Sequence, residues 1–591
     1  MRQTTSDKEY EWLQIGYWLA FVTICACFFF RCRFSLGAAF SDEFSQPATV
    51  NRYLHGDVPI IDNWTASTMF SGFVMSLVCR LLGIGMVPIL MARYLYVVYQ
   101  AVIAAAIYFL MPKKNVALMA SSLVYLCSTP YNINRITYNT LSIGLFILFC
   151  ILFFGATETN NGAEYSSNAG LFWKTRILLS GVVLALVVLA IPHNAMVFFV
   201  YTAAVIVVAL IRRGKHNQRK CLIVLSTEHL FFMTIGIMLV AVPFVVYFLL
   251  NGSASEYMAN LGFILSDAEY SKSFWVKLFE SQLRIIRIYW RIWLPLVIMD
   301  CVVAVLFRDK KEFYWIIYSL SNLVILYGVV RFSFIYGSVS INLAVPAFFF
   351  LGVQVVVMEL LFKNITLKRD IYNSVLISWL VFGYAFYICE YLATDTEILS
   401  SSAALIVVAI PAILLDYELL KLMGKNKLSQ IVLPMTVCGS LICLFILRMT
   451  YVWGDAPISQ LNYKIDSGAA KGIITTRESA ERFLECESVI ENAELRYDDQ
   501  VLILPMNPTY YYLADAGCAS PYIFRFEVSV DELNNYYTLH PEKMPSVVVA
   551  CKNDDSGNEY DLNECLGYFE NMTDMGYYVY YNSDDAIVLK R

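Results

Sequence analysis

Two adjacent carboxyls, Asp42 and Glu43, stand just past the first long apolar run of this chain, in a segment that continues through His55, Asp57 and Asp62. A carboxylate at a membrane edge can take a proton from an attacking hydroxyl, the general-base role. With a neighbour it can instead hold a divalent cation, Mg or Mn, against a phosphate. A solvated interfacial turn is the plain alternative for the pair, and Asp62 adds a third carboxyl able to meet a substrate. Arg284, Arg287 and Arg291 are spaced so that one helical face carries all three, beside Tyr289 and Trp290. Guanidinium forks suit phosphate oxygens, and the same face would equally suit lipid headgroups. His193, directly after Pro192, is a further donor that a phosphate could use.

Positioning these residues falls to helices in lipid. Of the 591 residues 58% are apolar and 15% charged, where a soluble domain carries about 25% charged residues. With a mean hydropathy of +0.58, the chain cannot cover its own surface in water, so soluble and disordered classes are excluded. About thirteen apolar runs approach the roughly 20 residues that cross a bilayer. They cover residues 12–30, 87–111, 116–131, 141–156, 177–192, 195–211, 229–250, 292–307, 313–330, 344–362, 372–392, 403–420 and 431–452. Lys and Arg gather between alternate runs, at Lys113, Lys174, residues 212–220, 308–311, 363–369 and 421–427. The positive-inside rule makes that side cytoplasmic. The N-terminus then lies inside, and residues 34–86, 132–140, 251–290 and everything after 453 lie outside. Arg31, Arg33 and Arg80 break the rule on the outer side, where they either snorkel to headgroups or face an anionic ligand.

The net charge of −5 hides a division. Residues 454–591 hold 24 acidic against 10 basic residues, a charge of −14, while residues 1–453 hold 24 against 33, or +9. The first part reads as a transmembrane region containing the outer loop 34–86, and the second as an acidic extracytoplasmic α/β domain. Nucleic acid is excluded as a partner. In this domain Thr475 and Glu478 have the spacing of a capping box opening a helix to about residue 493, and residues 500–504, 546–550 and 577–589 read as strands, the last a hairpin turning at residues 582–584. Cys486, Cys518, Cys551 and Cys565 leave room for one or two disulfides if the domain is external. A Walker A motif, a zinc-like Cys/His spacing and a dinucleotide fingerprint are all missing from the sequence.

The order of these features resembles the GT-C class of membrane glycosyltransferases, in particular the bacterial relatives of protein O-mannosyltransferases and aminoarabinose transferases. One N-terminal span is followed by the Asp42-Glu43 pair, an amphipathic segment ending at Gly83, and the stretch Met91-Ala92-Arg93-Tyr94-Leu95 opening the second span. Later the strand from Val501 to Pro505 and the run Pro508 to Leu513 look like the start of the outer domain of such proteins. The resemblance covers most of the chain. It implies a polytopic enzyme of the plasma membrane of a bacterium that moves a sugar, with inversion, from a polyprenyl-phosphate carrier to a glycan, lipid or protein acceptor on the outer face. It also implies that Asp42 is the catalytic carboxylate, that Glu43 supports it or shares a cation, and that a basic residue near Arg331 faces the carrier phosphate. The family often places a second Asp in the loop before the fourth span, where this chain has Tyr138 and Asn139. An amide is no base at neutral pH, so Asn139 would at most orient substrate.

Two other classes fit parts of the pattern. A flippase for a lipid-linked glycan would need buried ionisable groups near the bilayer midplane, and a silent membrane anchor would leave the loop carboxylates without a task. The orientation is testable on its own. A reporter active only outside the cytoplasm, fused after Val452, should be active, and activity of a cytoplasm-only reporter at that position would reverse the topology.

Overall fold

The computed structural model describes residues 3–591 except 34, 41, 86–88, 163–166, 213–226, 266–273, 307–312, 363–366, 368–370, 393–400, 424–426, 524–529, 552–575 and 585. Much of the basic-loop signal, at 213–220, 308–311 and 424–426, and also Cys565, lie outside the described residues. The apolar runs fall on helices. Among the described residues ten helices are long and apolar enough to cross a membrane, or eleven if Trp275–Ile288 and Trp290–Leu306, bent by 80°, are one broken span. Val116–Cys127 has 12 residues, about 18 Å at 1.5 Å per residue, and the proline turn Pro130–Asn132 follows it. Past the turn Pro192–Asn194, helix Ala195–Arg212 has 18 residues.

Small residues set the closest helix contacts. A Cβ on Gly181 would lie 2.1 Å from the Met233 carbonyl oxygen and one on Gly236 2.0 Å from that of Leu178. Helices Ser167–Ala190 and Thr227–Asn251 therefore touch backbone to backbone, the usual solution where lipid offers no hydrophobic drive between helices.

On one side of the bundle the loop after helix Gln3–Arg33 forms helices Asp42–Leu54 and Ala66–Leu82 before the span Ile89–Leu110 begins. On the same side the terminal domain builds a five-stranded sheet. Its order is Gly517–Cys518, Gln500–Leu504, Val547–Cys551, Ala586–Lys590, Tyr578–Asn582. The first three strands are parallel and the last two join antiparallel, as the hairpin read from the sequence requires. The helix Arg477–Asn492 starts one residue later than the capping box predicted. Thr476 is its N-cap, accepting the Ser479 amide at 3.2 Å. Thr475 pairs with Tyr463 in a two-stranded ribbon and donates to Asp455, so it cannot cap. Cys486, Cys518 and Cys551 are free thiols.

The loop is built into the domain's core. Phe44 is fully buried against Phe483 and Tyr512, with ring centroids at 5.6 and 4.8 Å. Trp64 is enclosed by Tyr522 and Tyr536. Backbone joins them too, through Gly37 N–H to Ile474 O at 2.7 Å and Trp64 N–H to Pro521 O at 2.9 Å. Beneath these contacts lies a buried charge network. Arg52 and Lys543 both grip Asp57, Arg52 also donates to the Asp62 carbonyl, and the Lys543 ammonium lies 3.7 Å from Asp62 Oδ1. Burial alone would lower the Lys543 pKa, but Asp57 and Asp62 outweigh it and hold it above the ordinary 10.5.

A folded-state pKa raised this way stabilises the fold fully below the unfolded value of 10.5 and ceases to do so as pH climbs through the folded value. Thermal unfolding of the purified protein should therefore show a loss of stability above pH 10.5. In Lys543→Met that alkaline limb should flatten, and stability at neutral pH should fall by about 1–3 kcal/mol. An unchanged limb in the variant would remove Lys543 from this role.

Candidate active site

Helix Asp42–Leu54 begins at the membrane boundary, and its first turn brings Glu43 against Arg93 near the start of the span Ile89–Leu110. The pairing is bidentate, with Arg93 Nε to Oε1 at 2.6 Å and Nη2 to Oε2 at 2.8 Å. The same Nη2 donates to Gly37 O at 2.6 Å. Both side chains are buried. A carboxylate whose two oxygens are occupied by one guanidinium is neither a free base nor a good cation ligand, so the Asp42-Glu43 cation site of the sequence reading does not fit Glu43 as it stands. Asp42 opens the helix, and its side chain lies outside the described residues.

Glu43 and Arg93 form one wall of a cleft of about 290 Å³, counting its open mouth. Leu36 and Ala39 of the first loop, Val452 and Trp453 at the end of the last span, and residues 132–135 between the third and fourth runs complete it. That second loop is held in an unusual shape. Tyr131 and Asn132 both have positive φ, 54° and 60°, a conformation that costs a non-glycine residue about 1–2 kcal/mol. Three contacts offset it. Asn342 Oδ1 accepts the Tyr131 amide at 2.7 Å, Asn132 Nδ2 donates to Leu447 O at 3.1 Å, and the Tyr131 ring packs on Trp453 at 4.5 Å. Strain of this kind collects at functional sites.

Arg135 is buried in the wall of the cleft. Behind it Arg448 stacks on Phe28 at 4.1 Å and reaches Asn134 Oδ1 at 3.5 Å. The cleft thus joins guanidinium groups, amides and one ion-paired carboxylate at the edge of an apolar bundle, a set of donors matched to an anionic, amphiphilic ligand. Sequence reasoning missed Arg93, Arg135 and Arg448 as site residues. Arg93 stood in a quoted motif, and the loop 132–140 was singled out, but at its far end.

The remaining sequence candidates are dispersed. Tyr138 and Asn139 open helix Tyr138–Gly162, half-buried and off the cleft wall, where Thr137 and Thr140 cap the helix. Asp62 belongs to the loop–domain junction, where Val58 N–H donates to its Oδ2 at 2.6 Å. Burial and then the Asp57 charge raise its carboxyl above the ordinary value. His193 sits half-buried in the Pro192–Asn194 turn, next to Asn194, which donates to the buried Glu390 at 3.1 Å. Arg284 pairs with Glu280 at 2.5 Å, Arg287 is exposed, and Arg291 stacks on Trp290 at 4.9 Å. These three lie on or beside helix Phe274–Ile288, whose other face exposes Trp275, Phe279 and Leu283. Arg331 ends helix Tyr314–Ser333, half-buried. Arg31 is buried and donates to the carbonyls of Arg448 and Tyr451, so it neither snorkels nor faces solvent. Arg80 donates to Tyr53 O.

Among the described residues Asp62, His540 and Glu542 bring three ligand-type atoms within 4.8 Å of one another. The Lys543 ammonium, 3.7 Å from Asp62 Oδ1, already supplies positive charge there.

No protein-family model matches the chain, and no curated protein matches it. Solved structures do. The archaeal oligosaccharyltransferase AglB from Archaeoglobus fulgidus, in complex with an inhibitory peptide and a dolichol-phosphate, aligns at a TM-score of 0.43 and 11% identity over 91% of this chain and 69% of that one. Its apo form aligns at 0.46 and 11% identity over 90% and 69%. ArnT from Cupriavidus metallidurans, bound to undecaprenyl phosphate, aligns at 0.39 and 12% identity over 97% of this chain and 98% of that one.

The Glu43–Arg93 pair is directly testable. Glu43→Gln should destabilise the purified protein by about 3–5 kcal/mol because a buried guanidinium loses its counter-charge, and adding Arg93→Met should recover part of that loss in a double-mutant cycle. Full stability of Glu43→Gln together with lost turnover would instead make Glu43 a reacting group.

Proposed function

We propose that the chain is an inverting glycosyltransferase that takes a sugar from a polyprenyl-phosphate carrier at the cleft on the domain side of the membrane. The observation that carries this reading is the meeting of the first loop's Glu43–Arg93 pair with Arg135 and the strained loop 130–132, at the place where the last span ends in Val452 and Trp453. A donor with an isoprenoid tail needs apolar surface on one side and phosphate-binding groups on the other, and the cleft wall sets Leu36, Val452 and Trp453 beside Arg135.

In this mechanism Asp42 accepts the proton of the acceptor hydroxyl while its oxygen attacks the anomeric carbon. The bond from that carbon to the carrier phosphate breaks with inversion, and the negative charge left on the phosphate is met by Arg135. Glu43, locked on Arg93, fixes the helix turn that presents Asp42. Arg331, in the last turn of helix Tyr314–Ser333, is assigned as a second cation toward the carrier. In this reading His193, Tyr138 and Asn139, outside the cleft wall, are assigned to the acceptor, and Asp62 tethers the domain that would recognise a glycan, lipid or protein. Arg284, Arg287 and Arg291 hold their interfacial helix to lipid headgroups. The N-terminus is cytoplasmic and the terminal domain extracytoplasmic.

A flippase reading would use ionisable groups within the spans. The two best placed are closed off. Asp416 is fully buried against Tyr318 Oη at 3.0 Å and Asn322 Nδ2 at 3.4 Å. Glu390 is satisfied by Ser142 at 2.5 Å and Asn194 at 3.1 Å. Both act as fastenings between helices and support the enzyme.

Purified protein given a panel of polyprenyl-phosphate sugars should release carrier phosphate, and turnover should persist in the presence of a chelator. Asp42→Asn should lower turnover at least about a hundredfold while donor binding is kept. Arg135→Ala should weaken donor binding by about 1.5–3 kcal/mol. Near wild-type turnover in Asp42→Asn would refute the base role.

A further inference from the structure

A second hollow, larger than the cleft, lies at the opposite end of the bundle. It measures about 1190 Å³, counted like the cleft with its open mouth. Three helices face it, Val116–Cys127, Ile406–Met423 and Lys427–Thr450. Its wall follows helical spacing on each, with Ala120 on the first, Tyr417 and Lys421 on the second, and Gln430, Leu433 and Cys438 on the third. Small side chains on the shortest helix, Ala117 and Ala120, leave the volume that larger ones would fill.

Two properties define what fits. The deep end is apolar, and two of the three helices lining it, Ile406–Met423 and Lys427–Thr450, belong to segments long and apolar enough to cross a membrane. The mouth is cationic. Lys421 lies 2.7 Å from Glu418 and 4.3 Å from the centroid of the Tyr417 ring, which leaves further N–H donors on an ammonium that has three. Exposed Lys427 is one helical step from Gln430 and, among the described residues there, adds a second cation against the carboxylate of Glu418. An apolar chain inside and a negative headgroup outside satisfy both ends. From Gln430 to the cleft at Val452 is about 30 Å along the helix, so the occupant belongs to the leaflet away from the terminal domain.

We infer that this cavity is a binding site for an anionic phospholipid of that leaflet, with one acyl chain in the hollow and the phosphate on Lys421. The site is separate from the proposed donor cleft and does not rest on it.

The test uses the full chain in nanodiscs containing either phosphatidylglycerol or phosphatidylcholine with a photoactivatable diazirine at the end of one acyl chain, and peptide mapping after irradiation. Phosphatidylglycerol should label peptides containing Ala120 or residues 433–438 about fivefold more than phosphatidylcholine does. Lys421→Gln should bring that ratio towards one. Ala120→Trp and Leu433→Trp, which fill the hollow from different helices, should each remove the label, and one of them folding with an unchanged size-exclusion profile suffices. Labelling spread evenly over the lipid-facing helices, equal labelling by the two lipids, or displacement by polyprenyl phosphate but not by excess phosphatidylglycerol would each overturn the assignment.

Discussion

Asp57 sits between Arg52 and Lys543 with almost no water around it, and the domain side of the molecule is organised by that junction. A carboxylate buried so deeply is tolerated only when paired. Because its partners come from both the first loop and the terminal domain, the two must close together. Their closure seats Phe44 and Trp64 in the domain's own hydrophobic clusters. It also fixes the helix Asp42–Leu54, and with it the position of Glu43 beside Arg93. The terminal domain is therefore part of the scaffold of the cleft as well as a water-soluble cap.

Guanidinium groups do much of the same work at the membrane boundary. Arg31 and Arg80 donate to backbone carbonyls, Arg93 to a carboxylate and a carbonyl, and Arg448 lies on an aromatic ring. Helix ends expose carbonyls with no intrahelical partner, and at a low-dielectric boundary a fixed cation meets that need better than occasional water. The concentration of arginine at one end of the bundle thus serves the fold first. Arg135, on the cleft wall, is the one whose position suits a ligand most directly.

The two ends of the bundle differ in kind. On the domain side charges are paired across long sequence distances and enclose a small polar cleft. On the other side a short helix and small residues leave an apolar hollow with a cationic rim.

The sequence by itself determined the class of architecture. Apolar run length and strand patterning are local properties, and they placed the membrane helices, the terminal sheet and the loop carrying Asp42 and Glu43. Local reasoning does not see that a proline turn follows Val116–Cys127 after only 12 residues. Only tertiary structure decided what each charge does. Glu43 is held by an arginine fifty positions away, Asp62 faces a lysine of the terminal domain, and Arg31 serves the end of the last span. The physical reason is desolvation. A charge removed from water must find its partner wherever the fold brings one, and sequence spacing carries no record of contacts between residues far apart in the chain.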